Sequence, residues 1–239
     1  MKMSKSVLMF VSFLLAAFAA TAAGVPSIHM AGDSTMCDYK VKERAGWGQI
    51  LKQKVKDNVT VNNRAVGGQS TKSFIESKRW SKLLAKVKKG DYVIIQFGHN
   101  DQKKTNEKRY AAANGAYKDN LRKFISDVKA KEAKIVLATP VCRRTFGKNG
   151  KLTDRQNLKE YAVATMEIAK EMNVPVIDLN TISCNHLNLL GKEKSLELFL
   201  AFHNKKDNTH TTIKGAEVFS SMFIEDAKKQ KLEIAELFK

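Results

Sequence analysis

The stretch Gly32-Asp33-Ser34-Thr35 places an acid and two hydroxyls where a short apolar run ends. Two readings of it are open. One of the three polar residues caps a following helix, since a short polar side chain satisfies the helix's first free N–H groups. Alternatively Ser34 is a nucleophile, which needs a neighbouring base because a serine hydroxyl is weak by itself. The best base is His210, in Asp207-Asn208-Thr209-His210-Thr211-Thr212. The three-residue spacing lets the Asp207 carboxylate fold back onto the ring. There it would fix the tautomer and stabilise the imidazolium, as triad logic requires. His29, His186 and His203 have no acid at a comparable spacing, while His99 precedes Asp101 in its own tight loop.

Acyl transfer also needs donors where the carbonyl oxygen becomes charged, and losing one costs about 10²–10³ in kcat. Gly68 suits a bare backbone N–H, and Asn100 in Gly98-His99-Asn100-Asp101 adds a side-chain amide. Taken singly, Gly67-Gly68 is a turn and Asn100 an Asx-turn. What favours chemistry is that separate loops supply complementary parts.

The elements that must position these parts alternate. Apolar or β-branched runs at 27–31, 58–66, 91–98, 134–141 and 174–179 read as strands of a buried parallel sheet. Tyr117, Leu121, Phe124, Ile125 and Val128 form one stripe of an amphipathic helix, as do Leu158, Tyr161, Thr165, Ile168 and Met172. Thr153 and Gln156 suit a capping box before the second stripe. A last helix is expected to start near Thr211 or Thr212 and to bury Ala216, Phe219 and Phe223. Right-handed crossovers then give a three-layer α/β domain with helices on both faces. Ligands of such sheets sit outside the carboxyl ends of the strands, where these loops lie.

Residues 1–22 read as a cleavable export signal, with a basic start, a short apolar run and small residues near Ala20 or Ala22. That leaves one domain over 23–239 and makes the protein periplasmic or secreted. The apolar run is shorter than the roughly 20 residues of a membrane anchor, so no stable membrane association is expected. A net charge of +18 favours acidic partners; export argues against nucleic acid. Three cysteines permit at most one disulfide, and no metal-ligand spacing occurs among them. Cys37 is expected to be a packed thiol.

The blocks "GDST", "AVGGQSTKSFI", "GHND" and "DNTH" resemble, in order, those of the SGNH (GDSL-type) hydrolases. "AGDSTMCDY", "GWGQ", "GDYVIIQFGHNDQK" and "TPVCRR" are similar to the rhamnogalacturonan acetylesterase branch, across nearly the whole mature chain. The resemblance implies a flavodoxin-like fold with a central sheet of about five parallel strands. It implies a Ser34–His210–Asp207 triad, and an oxyanion hole from the Ser34 and Gly68 N–H groups and the Asn100 side chain. It also implies deacetylation of a pectic polysaccharide without a metal; no cofactor is expected, and a monomer is the default. Gln69 departs from an arginine expected to be common in that branch, which bears on a substrate-side or structural contact. The G-x-S-x-G elbow of the α/β-hydrolases is absent. Other roles stay open for several residues. Trp47 either stacks on sugar or packs, and Arg143 and Arg144 either pair with galacturonate carboxylates or are solvated. Two rival functions also stand: an esterase for xylan, lipid or thioester substrates, and a non-catalytic polyanion binder.

Overall fold

A computed structural model describes residues 24–153, 158–203 and 206–239. The expected export signal and Gln156 of the expected capping box lie outside them. Five strands, β1 (Ile28–Gly32), β2 (Val61–Asn63), β3 (Tyr92–Gln96), β4 (Lys134–Ala138) and β5 (Val176–Ile177), form one sheet in the order β2-β1-β3-β4-β5. All neighbours pair in parallel. Period-two alternation divides the strand side chains between two layers. Ile28, Met30, Tyr92, Ile94, Val136 and Ala138 face one core, while Ala31, Val93, Ile95, Ile135 and Leu137 face the other. Because both faces are covered, the strands read as continuous apolar runs.

The first layer holds α1 (Trp47–Leu51), α6 (Leu179–Lys194, broken at Gly191) and α7 (Ile213–Lys229). Trp47 is fully buried and stacks on Phe223 at 5.3 Å, while its indole N–H donates to Gln96 at 2.8 Å. It therefore packs rather than presenting a face to sugar. The second layer holds α2 (Thr71–Glu76), α3 (Arg79–Leu84), α4 (Ala116–Lys129) and α5 (Lys159–Glu171). The whole expected α4 stripe is buried. Helix α5 runs from Lys159 with Leu158 as its N-cap, left-handed at φ 63° and with its side chain buried. Helix α7 starts as expected, with Thr212 Oγ1 accepting from Gly215 N–H.

Three differences from the sequence reading are informative. Regular β2 pairing covers only Val61–Asn63, yet the Arg64 and Val66 N–H groups still donate to Met30 and Gly32 at 2.9 and 3.0 Å. The edge segment thus stays extended up to the Gly67-Gly68 loop. β5 is cut to two residues because Asp178 turns the chain and caps α6 by accepting from Thr181. No helix follows Gly32 directly; a turn leads to a loop that reaches α1 only at Trp47.

The β4 exit is tied to α6 by a Cys142–Cys184 disulfide, and Cys37 is the free, buried thiol. The crosslink closes a loop of 42 residues in the unfolded chain, a constraint worth about 2–4 kcal/mol. The Cys142→Ser/Cys184→Ser double variant is expected to unfold at lower temperature, by roughly 2–4 °C for each kcal/mol lost in a chain of this size. Reducing the wild-type protein should reproduce most of that shift. A thermal melt unchanged by both treatments would show the crosslink to be energetically silent.

Candidate active site

The parallel order β2-β1-β3-β4-β5 reverses direction between β1 and β3, and such a switch point opens a crevice at the carboxyl ends of the strands. Ser34 follows β1 at that point. Its turn is held by Asp33, which is fully buried. Asp33 Oδ1 accepts from the Thr35 N–H and hydroxyl, each at 2.8 Å. Asp33 Oδ2 lies 3.3 Å from His99 Nδ1, a contact poorly aligned for a hydrogen bond, and burial holds the His99 ring below its ordinary pKa. Burial works against the Asp33 charge, but His99 and the Thr35 donors outweigh it and hold the carboxyl below its ordinary range. Asp33 thus organises the turn. It caps no helix, and it does not reach the base.

On its other side the Ser34 carbonyl accepts from the Tyr39 hydroxyl at 2.6 Å, and Arg44 donates to that hydroxyl while covering the ring at 3.9 Å. Neither residue carries a recognisable signal in the sequence, because the loop that brings them back has no periodicity. Cys37 packs behind the same turn, and burial pushes its thiol up.

His210 arrives from the opposite end of the chain. Its Nε2 lies 2.8 Å from Ser34 Oγ and its Nδ1 lies 2.6 Å from Asp207 Oδ2. An ionised carboxylate only accepts, so the Asp207 contact places the ring proton on Nδ1 and leaves Nε2 to accept from the Ser34 hydroxyl. Asp207 Oδ1 accepts the backbone N–H groups of Thr209 and His210, each at 3.0 Å. Partial burial raises the Asp207 pKa, but these donors and the ring N–H win, and the carboxyl sits well below the ordinary carboxylate range. The loop is positioned by its neighbours: Leu200 and Ala201 N–H groups donate to the His210 and Asp207 carbonyls at 2.9 and 3.0 Å. At the start of α7 the chain passes so close to Leu198 that a Cβ on Gly215 would lie 2.0 Å from the Leu198 carbonyl oxygen. Only glycine fits there.

The expected oxyanion donors gather on the same side. A Cβ on Gly67 would sit 3.7 Å from Ser34 Cβ, and Gly68 follows in the left-handed region at φ 81°. Asn100 is 4 % exposed and donates one amide hydrogen to the Gln69 carbonyl at 2.9 Å, which leaves its second hydrogen. Among the described residues, neither the Ser34 nor the Gly68 N–H has an acceptor. The Gln69 side chain accepts from Ser73 at the start of α2, so this position serves a local structural contact. Asp101 braces the same region, accepting from the Thr71 N–H and hydroxyl and from Gly98 N–H. Burial nevertheless pushes its pKa up to about 7.

The two arginines after β4 are not free in solvent. Arg144 is 8 % exposed and donates to Ser195, Asn208 and the Lys192 carbonyl. Its role is structural. Arg143 donates to Thr209 Oγ1 and the His99 carbonyl, bracing the His210 loop against the β3 exit. Among the described residues, no group of three or more His, Cys, Asp or Glu side chains converges as a metal ion would require.

A hydroxyl hydrogen-bonded to an oriented imidazole, beside unsatisfied N–H donors, is suited to nucleophilic attack on an acyl carbon. The comparisons with known proteins agree. The model of the GDSL-like Lipase/Acylhydrolase family matches residues 30–217. The chain is 38% identical over 200 residues to the rhamnogalacturonan acetylesterase RhgT of Bacillus subtilis, covering 79% of this chain and 84% of that protein. It is 33% identical over 210 residues to the probable rhamnogalacturonan acetylesterase YesY of the same organism, covering 87% and 95%. The crystal structure of protein YxiM from Bacillus subtilis superposes with a TM-score of 0.78 at 29% identity, over 87% of this chain and 58% of that one. The chain spans little more than half of that structure, but most of the two acetylesterases. With a family match across most of its length and ester-hydrolase relatives over the same region, this chain belongs to the GDSL-like lipase/acylhydrolase family and is a carboxylic ester hydrolase.

Proposed function

We propose that this protein is an exported acetylesterase that deacetylates an acidic, pectic polysaccharide through an acetyl-serine intermediate. The observation that carries the chemistry is the continuous relay Ser34 Oγ–His210 Nε2 at 2.8 Å and His210 Nδ1–Asp207 Oδ2 at 2.6 Å. As Ser34 Oγ attacks the acetyl carbonyl carbon, its proton passes to His210 Nε2, and Asp207 stabilises the imidazolium that forms. The carbonyl oxygen, now negative, receives the Ser34 and Gly68 N–H groups and the free amide hydrogen of Asn100. The tetrahedral intermediate collapses by breaking the bond to the sugar oxygen, which takes the proton back from His210. Water then repeats the cycle on the acetyl-serine and releases acetate.

The pectic reading is supported by the likeness to the two rhamnogalacturonan acetylesterases and by the strongly basic chain. Export is supported by the sequence of residues 1–22 and by the Cys142–Cys184 disulfide, since such crosslinks persist in oxidising compartments.

Ser34→Ala is expected to abolish acetate release from acetylated rhamnogalacturonan while leaving the thermal melt in place. Wild-type protein should react with a serine-directed fluorophosphonate and the variant should not. Substantial turnover by the variant would remove Ser34 as the nucleophile. An unreactive wild-type protein would favour the rival reading, a polyanion binder without catalysis. Parallel initial rates on acetylated rhamnogalacturonan, acetylated xylan and long-chain acyl esters test the substrate class, and a preference for long acyl chains would overturn it.

Asp207→Asn should cut kcat by about 10⁴, the loss typical when a triad carboxylate becomes an amide. It should also change how stability depends on pH. The folded protein holds Asp207 ionised at pH values where the unfolded chain has begun to protonate it. Stability from this group is therefore fully present above the ordinary carboxylate range and drains away as pH falls below it. Melts recorded between pH 6 and pH 2.5 should fall less steeply for Asp207→Asn than for wild type. Parallel curves would mean that the carboxylate gains nothing from its partners.

A further inference from the structure

The strand β3 to helix α4 connection delivers a cation to the Gly67-Gly68 loop that the proposed acetyl transfer does not use. The Arg109 guanidinium lies against Gly68: a Cβ there would be 3.1 Å from Arg109 Nη2 and 3.5 Å from its Cζ. The preceding residue, Gly67, is the one that abuts Ser34. The guanidinium and the nucleophile thus border the same two-residue segment. The backbone that carries Arg109 is fixed in advance. Its N–H and that of Tyr110 donate to the Asn106 carbonyl at 2.9 and 2.8 Å, and Ala111 N–H donates to Asp101. From the side, Lys72 Nζ donates to the Glu107 carbonyl at 2.8 Å.

Despite this placement, the half-buried Arg109 side chain makes no hydrogen bond or ion pair to any described residue. A guanidinium carries five N–H donors in a rigid fork, and half-burying them without partners costs part of their hydration. The Lys103 ammonium, in the same connection, likewise makes no hydrogen bond or ion pair to any described residue. Its ammonium is held below its ordinary pKa by burial first, then by the charges of Arg109 and Arg143. On this ammonium the charges of Arg109 and Arg143 outweigh the opposing charge of Asp33, so the field here is positive. The groups that complete it must be anionic and planar to use the fork fully, and a carboxylate is both.

We propose that Arg109 determines specificity by taking the carboxylate of a uronic acid in the acetylated substrate, with Lys103 reinforcing the charge. The idea rests on the pectic reading of the function and makes it specific: the acid lies on the sugar bearing the acetyl group or on its immediate neighbour. The sugar then binds with its ester over Ser34 and its acid over Gly68.

The test compares kcat and KM on acetylated rhamnogalacturonan oligosaccharides with those on acetylated xylo-oligosaccharides, for wild type, Arg109→Gln and Arg109→Lys. For the glutamine variant the acidic-to-neutral ratio of kcat/KM should fall about 10–100-fold, mainly through KM, as expected when a charge-assisted pair is lost. The lysine variant should recover part of the ratio, since it restores charge without the fork. Equal losses on both substrates, carried by kcat, would show that Arg109 only supports the Gly68 loop and would overturn the proposal. So would a glutamine variant that keeps the wild-type ratio. A wild-type enzyme with no preference for the acidic substrate would overturn the pectic reading itself, and that outcome is recognised without any variant.

Discussion

The Ser34–His210 hydrogen bond joins residues 176 positions apart, and most of the fold serves to hold that distance. One partner hangs on the first strand and the other on the loop before the last helix. Neither turn has enough local structure to find the other. The Ser34 turn is fixed internally by Asp33 and externally by Tyr39 and Arg44. The His210 loop is fixed by its pairing with residues 199–201 and by the close approach of α7 to Leu198. What connects the two is packing. Helix α7 buries Phe219 and Phe223 against the sheet, and Phe223 stacks on Trp47, whose indole donates to the same Gln96 carbonyl group that Thr35 contacts. Burying aromatic side chains of this size gives roughly 1.5–3 kcal/mol each. A distortion anywhere along that path would therefore be felt as a change in the reacting distance.

The buried polar groups under the Ser34 turn follow from the same constraint. Asp33, His99 and Asp101 are all nearly inaccessible, and burying a charge is costly unless partners replace water. Asp33 finds them in Thr35 and His99 and stays charged. Asp101 accepts three donors, yet burial still lifts it to about 7. The two carboxyls tie the exits of β1 and β3 and the start of α2 together. They hold the loops that converge on Ser34.

Much of this was legible in the sequence, and the limits have physical causes. The inner strands and α4 announce themselves because burial on both faces, or on one helical stripe, writes a hydrophobic period. The candidate residues Ser34, Gly68, Asn100, Asp207 and His210 could be proposed together because each sits in a short block whose side-chain types complement the others. Whether a helix follows the turn at Gly32 was not legible: an Asx contact and a helix cap use the same residues. Arg143 and Arg144 look alike in sequence, yet their neighbours separate them, one bracing the His210 loop and the other filled with structural acceptors. Tyr39, Arg44 and Arg109 were missed because loop residues that act across space leave no period at all.

Charge shows the same division between what composition and position can tell. The excess of cations is a property of the whole chain, and beyond about 8 Å exposed charges are screened at physiological salt. Many of those cations are neutralised locally. Arg122 pairs with Asp119 and Glu171, Lys118 with Glu167, Lys214 with Glu197 and Lys52 with Asp38. The acids of the active-site edge are spent differently: Asp33 on His99 and Thr35, Asp101 within its own loop network, Asp207 on His210. Among the described residues none of them pairs with Arg109 or Lys103, although the Asp33 charge acts on Lys103 from a distance. The cations beside Gly68 are thus not paired off as those of the surface are, and under the proposed function they would act on a substrate at contact distance, where screening is weakest. Net charge alone could only suggest an acidic partner. The distribution of the acids places where its charge would be felt.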